Sequence, residues 1–258
     1  MKNPYIEWSI FEGGRKMQPV NSLFAHIKNY QIHHFQFTKW GKNLRALNGK
    51  FSGKRCFIVG NGPSLRARDL DLLQNEYTFA FNCIYYIFNQ TAWRPTFYCT
   101  QDFKIARDSA SEICKNIQTP YIFAPINLKW YYDIPIETDY FFCQRLAGDA
   151  PPLFSEDIPR WIGTGNTVAY TAMQLAVYMG FKQIYLLGID HSFQRYQDES
   201  GQIVVDSSAK DYFCNQYNKD KDKFFIPRLD LSTRAYIEAQ KYAKTHSVKI
   251  YTGSFSKS

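Results

Sequence analysis

The chain has 258 residues, 45% hydrophobic and 21% charged, which is ordinary globular usage and excludes a disordered chain or a coiled coil. That length suits one large α/β domain and is short for two independent ones. A net charge of +8 with a 17% aromatic share favours an anionic partner, while dispersed bases and the lack of an RNA-recognition motif argue against nucleic acid.

The opening MKNPYIEWSIFEGG has no basic region followed by an apolar one, and no run of about 18 apolar residues occurs, so neither a signal peptide nor a membrane span is expected. The six cysteines, at 56, 83, 99, 114, 143 and 214, form no C-x-x-C pair. They read as reduced, mostly buried thiols of a cytoplasmic protein.

Residues 1–50 read as an N-terminal appendage, because 23–50 is rich in bases and aromatics: His26, Lys28, His33, His34, Phe35, Phe37, Lys39, Trp40, Lys42, Arg45 and Lys50. Two readings stand for it: a helix on an anionic membrane surface, or a helix packed on the core by its aromatic side. The main domain then spans 51–258. CFIVG is a strand-type run, GNGPSL a turn, and a polar helical stretch follows to Leu73. Strands are predicted at Thr78–Phe81, in RPTFYCTQD up to Asp102, in PYIFAP (120–125) and at Tyr140–Gln144. GTGNTVAYTAMQLAVYM (163–179) is the clearest helix, ended by Gly180, and KQIYLLGID is a strand buried on both faces. Residues 194–227 have no clean period and read as a mobile lid. A helix starting at Ser232 or Thr233 leads to a last strand, VKIY. The alternation predicts an α/β fold with a mostly parallel sheet covered by helices.

In such a sheet, ligands bind beyond the carboxyl ends of the strands, so Asn61, Asn82, Asp102, Asp190 and His191 are the residues to inspect. Gly60, Gly62 and Pro63 shape a tight loop, and Ser64 or the loop N–H groups open the next helix, an arrangement able to cradle phosphate or ribose. It is neither a P-loop nor G-x-G-x-x-G, since GK[ST] is missing and Leu65 stands where the last glycine would be. IGTGNT (162–167) opens a second helix with clustered N–H donors and the side chains of Thr164, Asn166 and Thr167. Two such helix starts in one sheet point to a nucleotide-bearing ligand.

FIVGNGPSL followed by GTGNTVAYTAMQLAVYMGFKQIYLLGID resembles the bacterial lipooligosaccharide sialyltransferases. It resembles more closely the broader domain-of-unknown-function 115 group, which holds flagellar motility accessory factors and archaeal pterin pyrophosphokinases. The likeness covers about residues 54–251. It implies a single Rossmann-like domain with a lid, binding a nucleotide-activated sugar such as a CMP-linked nonulosonic acid, without a metal or other cofactor in the sialyltransferase branch. By position, Asn61 and Asn82 correspond to donor-facing asparagines, and Gly163, Thr164 and Gly165 to the turn that holds cytidine and phosphate. Asp190 matches an acid after the strand, while His191 and Ser192 begin a phosphate-facing segment.

The family's lid-proximal histidine is missing: FFIPRLDLSTRAY carries Arg228 and Asp230 in its place. Asp102, Asp190, His191 and Asp230 are therefore the candidate bases, Asp102 first and His191 second, while Arg228, Lys223 and Tyr212 are candidates to meet the phosphate. Each also has a plainer role as a cap, a core residue or an ion pair. The function expected is inverting glycosyl transfer in surface-polysaccharide or lipooligosaccharide synthesis, on a glycan or glycolipid acceptor, at the inner face of the membrane and open to homo-oligomerisation. The alternatives are Mg-dependent pyrophosphoryl transfer of the pterin type, with Asp102 and Asp190 on the metal side, and non-catalytic nucleotide binding.

Overall fold

In a computed structural model of the chain, the residues described are 30, 33–132, 134–145, 152–219 and 225–253. Helix α1 (Lys39–Arg45) leads into strand β1 (Arg55–Val59), then α2 (Ala67–Asp71), β2 (Tyr77–Phe81) and β3 (Phe97–Cys99). Next come α3 (Phe103–Asp108), α4 (Ala110–Asn116), β4 (Tyr121–Pro125), α5 (Ile126–Tyr132) and β5 (Tyr140–Phe142). The short strands β6 (Gln144–Arg145) and β7 (Ile162–Gly163) precede α6 (Val168–Tyr178), β8 (Gln183–Leu187), β9 (Arg195–Gln197) and β10 (Ile203–Val205). The chain continues through α7 (Asn215–Lys219) and α8 (Leu229–Thr245) to β11 (Lys249–Gly253).

Seven strands form one sheet in the order β11-β8-β1-β2-β3-β4-β5, every neighbouring pair parallel. The fold is the expected Rossmann-like α/β arrangement. Its strands read as apolar runs because helices and loops cover both faces. From β1 the chain winds to β2 on one side, and β8 is laid against β1 on the other. The carboxyl ends of β1 and β8 therefore border the topological switch point, where open sheets leave a crevice.

The aromatic share is spent largely on one face of this sheet. Phe51 stacks on Phe181 at 5.3 Å and meets Phe97 and Tyr77 edge-on, while Phe79 stacks on Phe97 at 4.4 Å. The described part of residues 1–50 belongs to the same core rather than standing apart. Phe35 and Leu44 are fully buried, Trp40 meets Phe141 edge-on, and the Gly49 and Phe51 N–H groups donate to the Tyr178 and Met179 carbonyls. Its aromatic side thus packs on the sheet; His26 and Lys28 lie outside the described residues.

Two element boundaries differ from the sequence reading. Helix α8 starts at Leu229, because Ser232 and Thr233 turn their hydroxyls back onto the Arg228 and Leu229 carbonyls instead of capping. The lid is not a uniform flap either: β9 and β10 form an antiparallel hairpin, whereas Tyr217 is 1% exposed and Tyr212 stacks on it at 3.8 Å. Residues 220–224, Lys223 among them, lie outside the described residues.

Gln174 is the polar exception inside α6. Fully buried, its Oε1 accepts from the Ser155 and Gly163 N–H groups and its Nε2 donates to the Gly163 and Tyr170 carbonyls, all at 2.9–3.0 Å. This one side chain fixes the turn that enters the helix. Gln174→Leu keeps the volume but strands buried peptide groups, and should lower unfolding free energy by about 3 kcal/mol in a denaturant titration.

Candidate functional site

The cleft lies at the switch point. Gly60, Asn61 and Gly62 line it after β1, Asn82 after β2, Gln101 and Asp102 after β3, and Gly188 to Phe193 after β8. Asn166 to Ala169 contribute the start of α6, while Tyr212, Tyr217 and Phe225 to Pro227 come from the lid and Tyr236 from α8. Asn61, Asn82, Asp102, Asp190, His191, Ser192, Asn166 and Tyr212, far apart in sequence, are thereby brought together.

The GNGP loop serves this cleft differently from a phosphate cradle. Most of its donors are already committed: Gly60 N–H to Leu187 O (2.7 Å), Gly62 N–H to Gly188 O (2.8 Å), Leu65 N–H to Gly62 O, and Ser64 N–H to the Asp190 carboxylate (3.1 Å). A Cβ on Gly60 would overlap the Gly188 carbonyl, and one on Gly62 would overlap the Asp190 carboxylate. The glycines thus permit close approach of two loops, and Asp190 braces them. What the loop offers a ligand is Asn61, whose Nδ2 donates to Phe81 O at 3.0 Å while its buried Oδ1 has no partner among the described residues.

Asn82 has the same character. Its carbonyl accepts from the buried Tyr98 hydroxyl at 2.8 Å, and its Oδ1 is buried without a partner among the described residues. Four non-glycine residues among those described have positive φ: Asn82 (54°), Asn166 (53°), His191 (50°) and Ser247 (55°). Three of the four line the cleft. Left-handed backbone in side-chain-bearing residues is costly and gathers at functional sites.

The second turn splits in two. Gly163 and Thr164 spend their N–H groups on Gln174 Oε1 and Arg145 O, and the space beside Gly165 is filled by Ala235 and the Tyr170 ring. These three residues and Ser64 lie outside the cleft lining. Asn166, Thr167, Val168 and Ala169 lie in it. The first turn of α6 has no side-chain cap, and its opening residues Thr167, Val168 and Ala169 line the cleft, at the positive end of the helix dipole.

Asp102 is the N-cap of α3, its Oδ1 accepting from the Lys104 and Ile105 N–H groups at 2.8 and 3.2 Å. Burial nevertheless raises its pKa, outweighing those two bonds. His191 is half-buried, with Nε2 2.7 Å from Thr233 Oγ1 and its ring edge-on to Tyr236; burial lowers its pKa and keeps it neutral near pH 7. Asp230 and Arg228 pair bidentately at 2.9 Å at the start of α8, outside the cleft lining, and the guanidinium holds Asp230 below the usual carboxylate range. That makes Asp230 a poor base. Asp211, absent from the sequence reading, also lines the cleft and accepts from Gln194 N–H. Among the described residues no three His, Cys, Asp or Glu side chains converge as a metal-ligand set. Four of the six cysteines, Cys56, Cys83, Cys99 and Cys143, are buried, in line with the expected mostly buried thiols, and burial pushes the Cys143 thiol up to about 12.

This is a Rossmann-like α/β protein whose polar cleft opens at the switch point of a seven-stranded parallel sheet. The chain belongs to the family described as 6-hydroxymethylpterin diphosphokinase MptE-like, whose model matches residues 28–196. The match starts within the expected appendage and ends before most of the lid. Among solved structures, the sialyltransferase CstII from Campylobacter jejuni with cytidine-5'-monophosphate is 16% identical, with 78% of this chain and 80% of that one covered and a TM-score of 0.43. The same enzyme with CMP-3FNeuAc gives 17%, 77%, 80% and 0.39. The MAf glycosyltransferase from Magnetospirillum magneticum AMB-1 is 12% identical over 86% of this chain and 46% of its own, with a TM-score of 0.39. No curated protein sequence matches the chain.

The raised pKa of Asp102 has a consequence for stability. The folded state binds its proton more tightly than the unfolded chain, so Asp102 costs stability as pH rises from the ordinary carboxylate value through the raised one. Asparagine caps a helix as well as aspartate does. The stability of Asp102→Asn relative to the unchanged protein should therefore increase with pH across that window, as read by urea unfolding at a series of pH values.

Proposed function

We propose that the cleft binds a nucleotide-activated sugar, in the manner of the CMP-linked nonulosonates, and that the protein transfers the sugar to a glycan or glycolipid hydroxyl with inversion. The observation that carries this reading is the pair of buried, unpartnered acceptors, Asn61 Oδ1 and Asn82 Oδ1, at adjacent strand ends of the switch-point cleft. Such acceptors suit a ligand rich in hydroxyl and amino donors, as a nucleoside is. In this reading the start of α6 would receive the phosphate, and its dipole would offset the charge left on the departing nucleotide.

Of the groups that line the cleft, Asp102 and His191 are the proton acceptors of this reading. Either would take the proton of the acceptor hydroxyl as it attacks the anomeric carbon. Tyr212, Tyr217 and Phe225 on the lid side would keep water from the donor. The reading needs no cofactor. A second reading, Mg-dependent diphosphoryl transfer, is favoured by the family's description and by three carboxylates in the cleft, Asp102, Asp190 and Asp211. Each of those carboxylates also accepts a backbone N–H.

A thermal-shift screen with CMP, CDP, UMP, UDP, GDP and ATP, each with Mg²⁺ and with EDTA, separates the readings. Stabilisation by cytidine nucleotides regardless of EDTA is the expected result. ATP binding that EDTA abolishes would establish diphosphoryl transfer instead, and no nucleotide binding would remove both. With a competent donor, Asp102→Asn or His191→Gln should lower turnover by about 10²-fold while donor binding persists.

The helix before the sheet supplies the proposed membrane side. Residues 23–50 contain no acid, Lys39, Lys42 and Arg45 are exposed, and Phe37 and Tyr30 are 65% and 64% exposed, with Tyr30 stacked on His34 at 3.8 Å. No helix among the described residues is long and apolar enough to cross a membrane. Bases beside exposed rings suit attachment to an anionic lipid surface, where a glycolipid acceptor would lie. Co-sedimentation with phosphatidylglycerol vesicles but not with phosphatidylcholine alone, weakened by a Lys39→Glu, Lys42→Glu double change, is expected.

A further inference from the structure

His191 stands in the cleft with one ring nitrogen engaged and the other not. Nε2 lies 2.7 Å from Thr233 Oγ1, and Nδ1 makes no hydrogen bond among the described residues. A neutral imidazole has one N–H and one lone pair, so the partner of Nε2 decides which nitrogen is basic. Thr233 resolves this, because its hydroxyl already donates to the Leu229 carbonyl at 2.7 Å. A hydroxyl carries a single hydrogen and a carbonyl can only accept, so Thr233 Oγ1 has lone pairs alone to offer. His191 Nε2 must be the donor.

We infer that Thr233 is a positioning residue that holds His191 as the Nε2–H tautomer and leaves Nδ1 as the proton-accepting nitrogen of the cleft. Three contacts, two on α8 and one after β8, hold the arrangement in place. Thr233 is anchored one turn back within α8, the imidazole meets Tyr236 edge-on at 5.2 Å, and the His191 backbone is held at φ 50° after the brace formed by Asp190 and Ser64. The contact joins residues 42 positions apart and ties the loop after β8 to the second turn of α8.

The catalytic consequence rests on the transferase reading. The acceptor O–H gives its proton to Nδ1, the oxygen forms the new bond to the anomeric carbon, and the bond from that carbon to the phosphate oxygen breaks. The electron pair of that bond leaves with the nucleoside monophosphate, and the imidazolium returns its proton to solvent. A mixed tautomer population would leave part of the enzyme with N–H where the base should be.

The tautomer can be read without any substrate. In long-range proton–nitrogen NMR spectra of the full ¹⁵N-labelled chain near neutral pH, with His191 assigned by its loss in His191→Gln, Nε2 should show the protonated signature and Nδ1 the unprotonated one. Thr233→Ser should preserve that pattern and Thr233→Val should average the two nitrogens. An Nδ1–H signature in the unchanged protein, or a pattern untouched by Thr233→Val, would overturn the assignment. With a competent donor, Thr233→Val should lower kcat at least about tenfold with donor KM unchanged, and Thr233→Ser should restore it. A tautomer that responds as described while kcat does not would leave the positioning in place and refute His191 as base in the transferase reading.

Discussion

The site depends on how closely two loops can approach at the carboxyl ends of β1 and β8. Parallel strands bring their ends together, but side chains there would force the following loops apart. At Gly60 and Gly62 any Cβ would strike the Gly188 carbonyl or the Asp190 carboxylate. With hydrogen in those places, two backbone bonds and the Asp190–Ser64 contact lock the loops together. The lock places Asn61 and His191 on the same cleft, and both the binding and the proton-transfer roles inherit that placement.

The polar groups of the cleft divide by what they have already given away. Asp190, Gly163, Thr164 and most donors of the GNGP loop are committed to protein partners, and through them they shape the site. Asn61 Oδ1, Asn82 Oδ1 and the first turn of α6 keep unspent capacity. Burying an acceptor without a partner carries a penalty of about 1–3 kcal/mol, and a ligand hydroxyl or amino group that meets it recovers that penalty on binding. Position in the sequence does not separate the two sets, since Asn61 stands between the committed Gly60 and Gly62.

This explains how much the sequence disclosed. The strands were legible because parallel strands covered on both faces read as short apolar runs, and the positions following them located the cleft. Which nitrogen or oxygen was free was not legible, because the partners sit far off in sequence: Asp190 lies 126 positions from Ser64, and Asn61 lies 20 from Phe81. Gln174 did leave a signal, a long amide in the middle of an otherwise apolar helix. The packing of this N-terminal segment was also half visible, since Phe35 and, in α1, Leu44 are buried while Lys39, Lys42 and Arg45 are exposed.

One bond of the lid ties these parts together. The Phe213 N–H donates to the Asn61 carbonyl at 3.1 Å, beside the aromatic group of Tyr212 and Tyr217. Asn61, which lines the cleft, is thereby latched through its backbone to the aromatic segment that also lines it. Raising that segment would break the latch and release the Asn61 loop at the same moment. On the proposed reading, gate and grip form one mechanical element, and the residence time of a bound donor would be set by their joint movement.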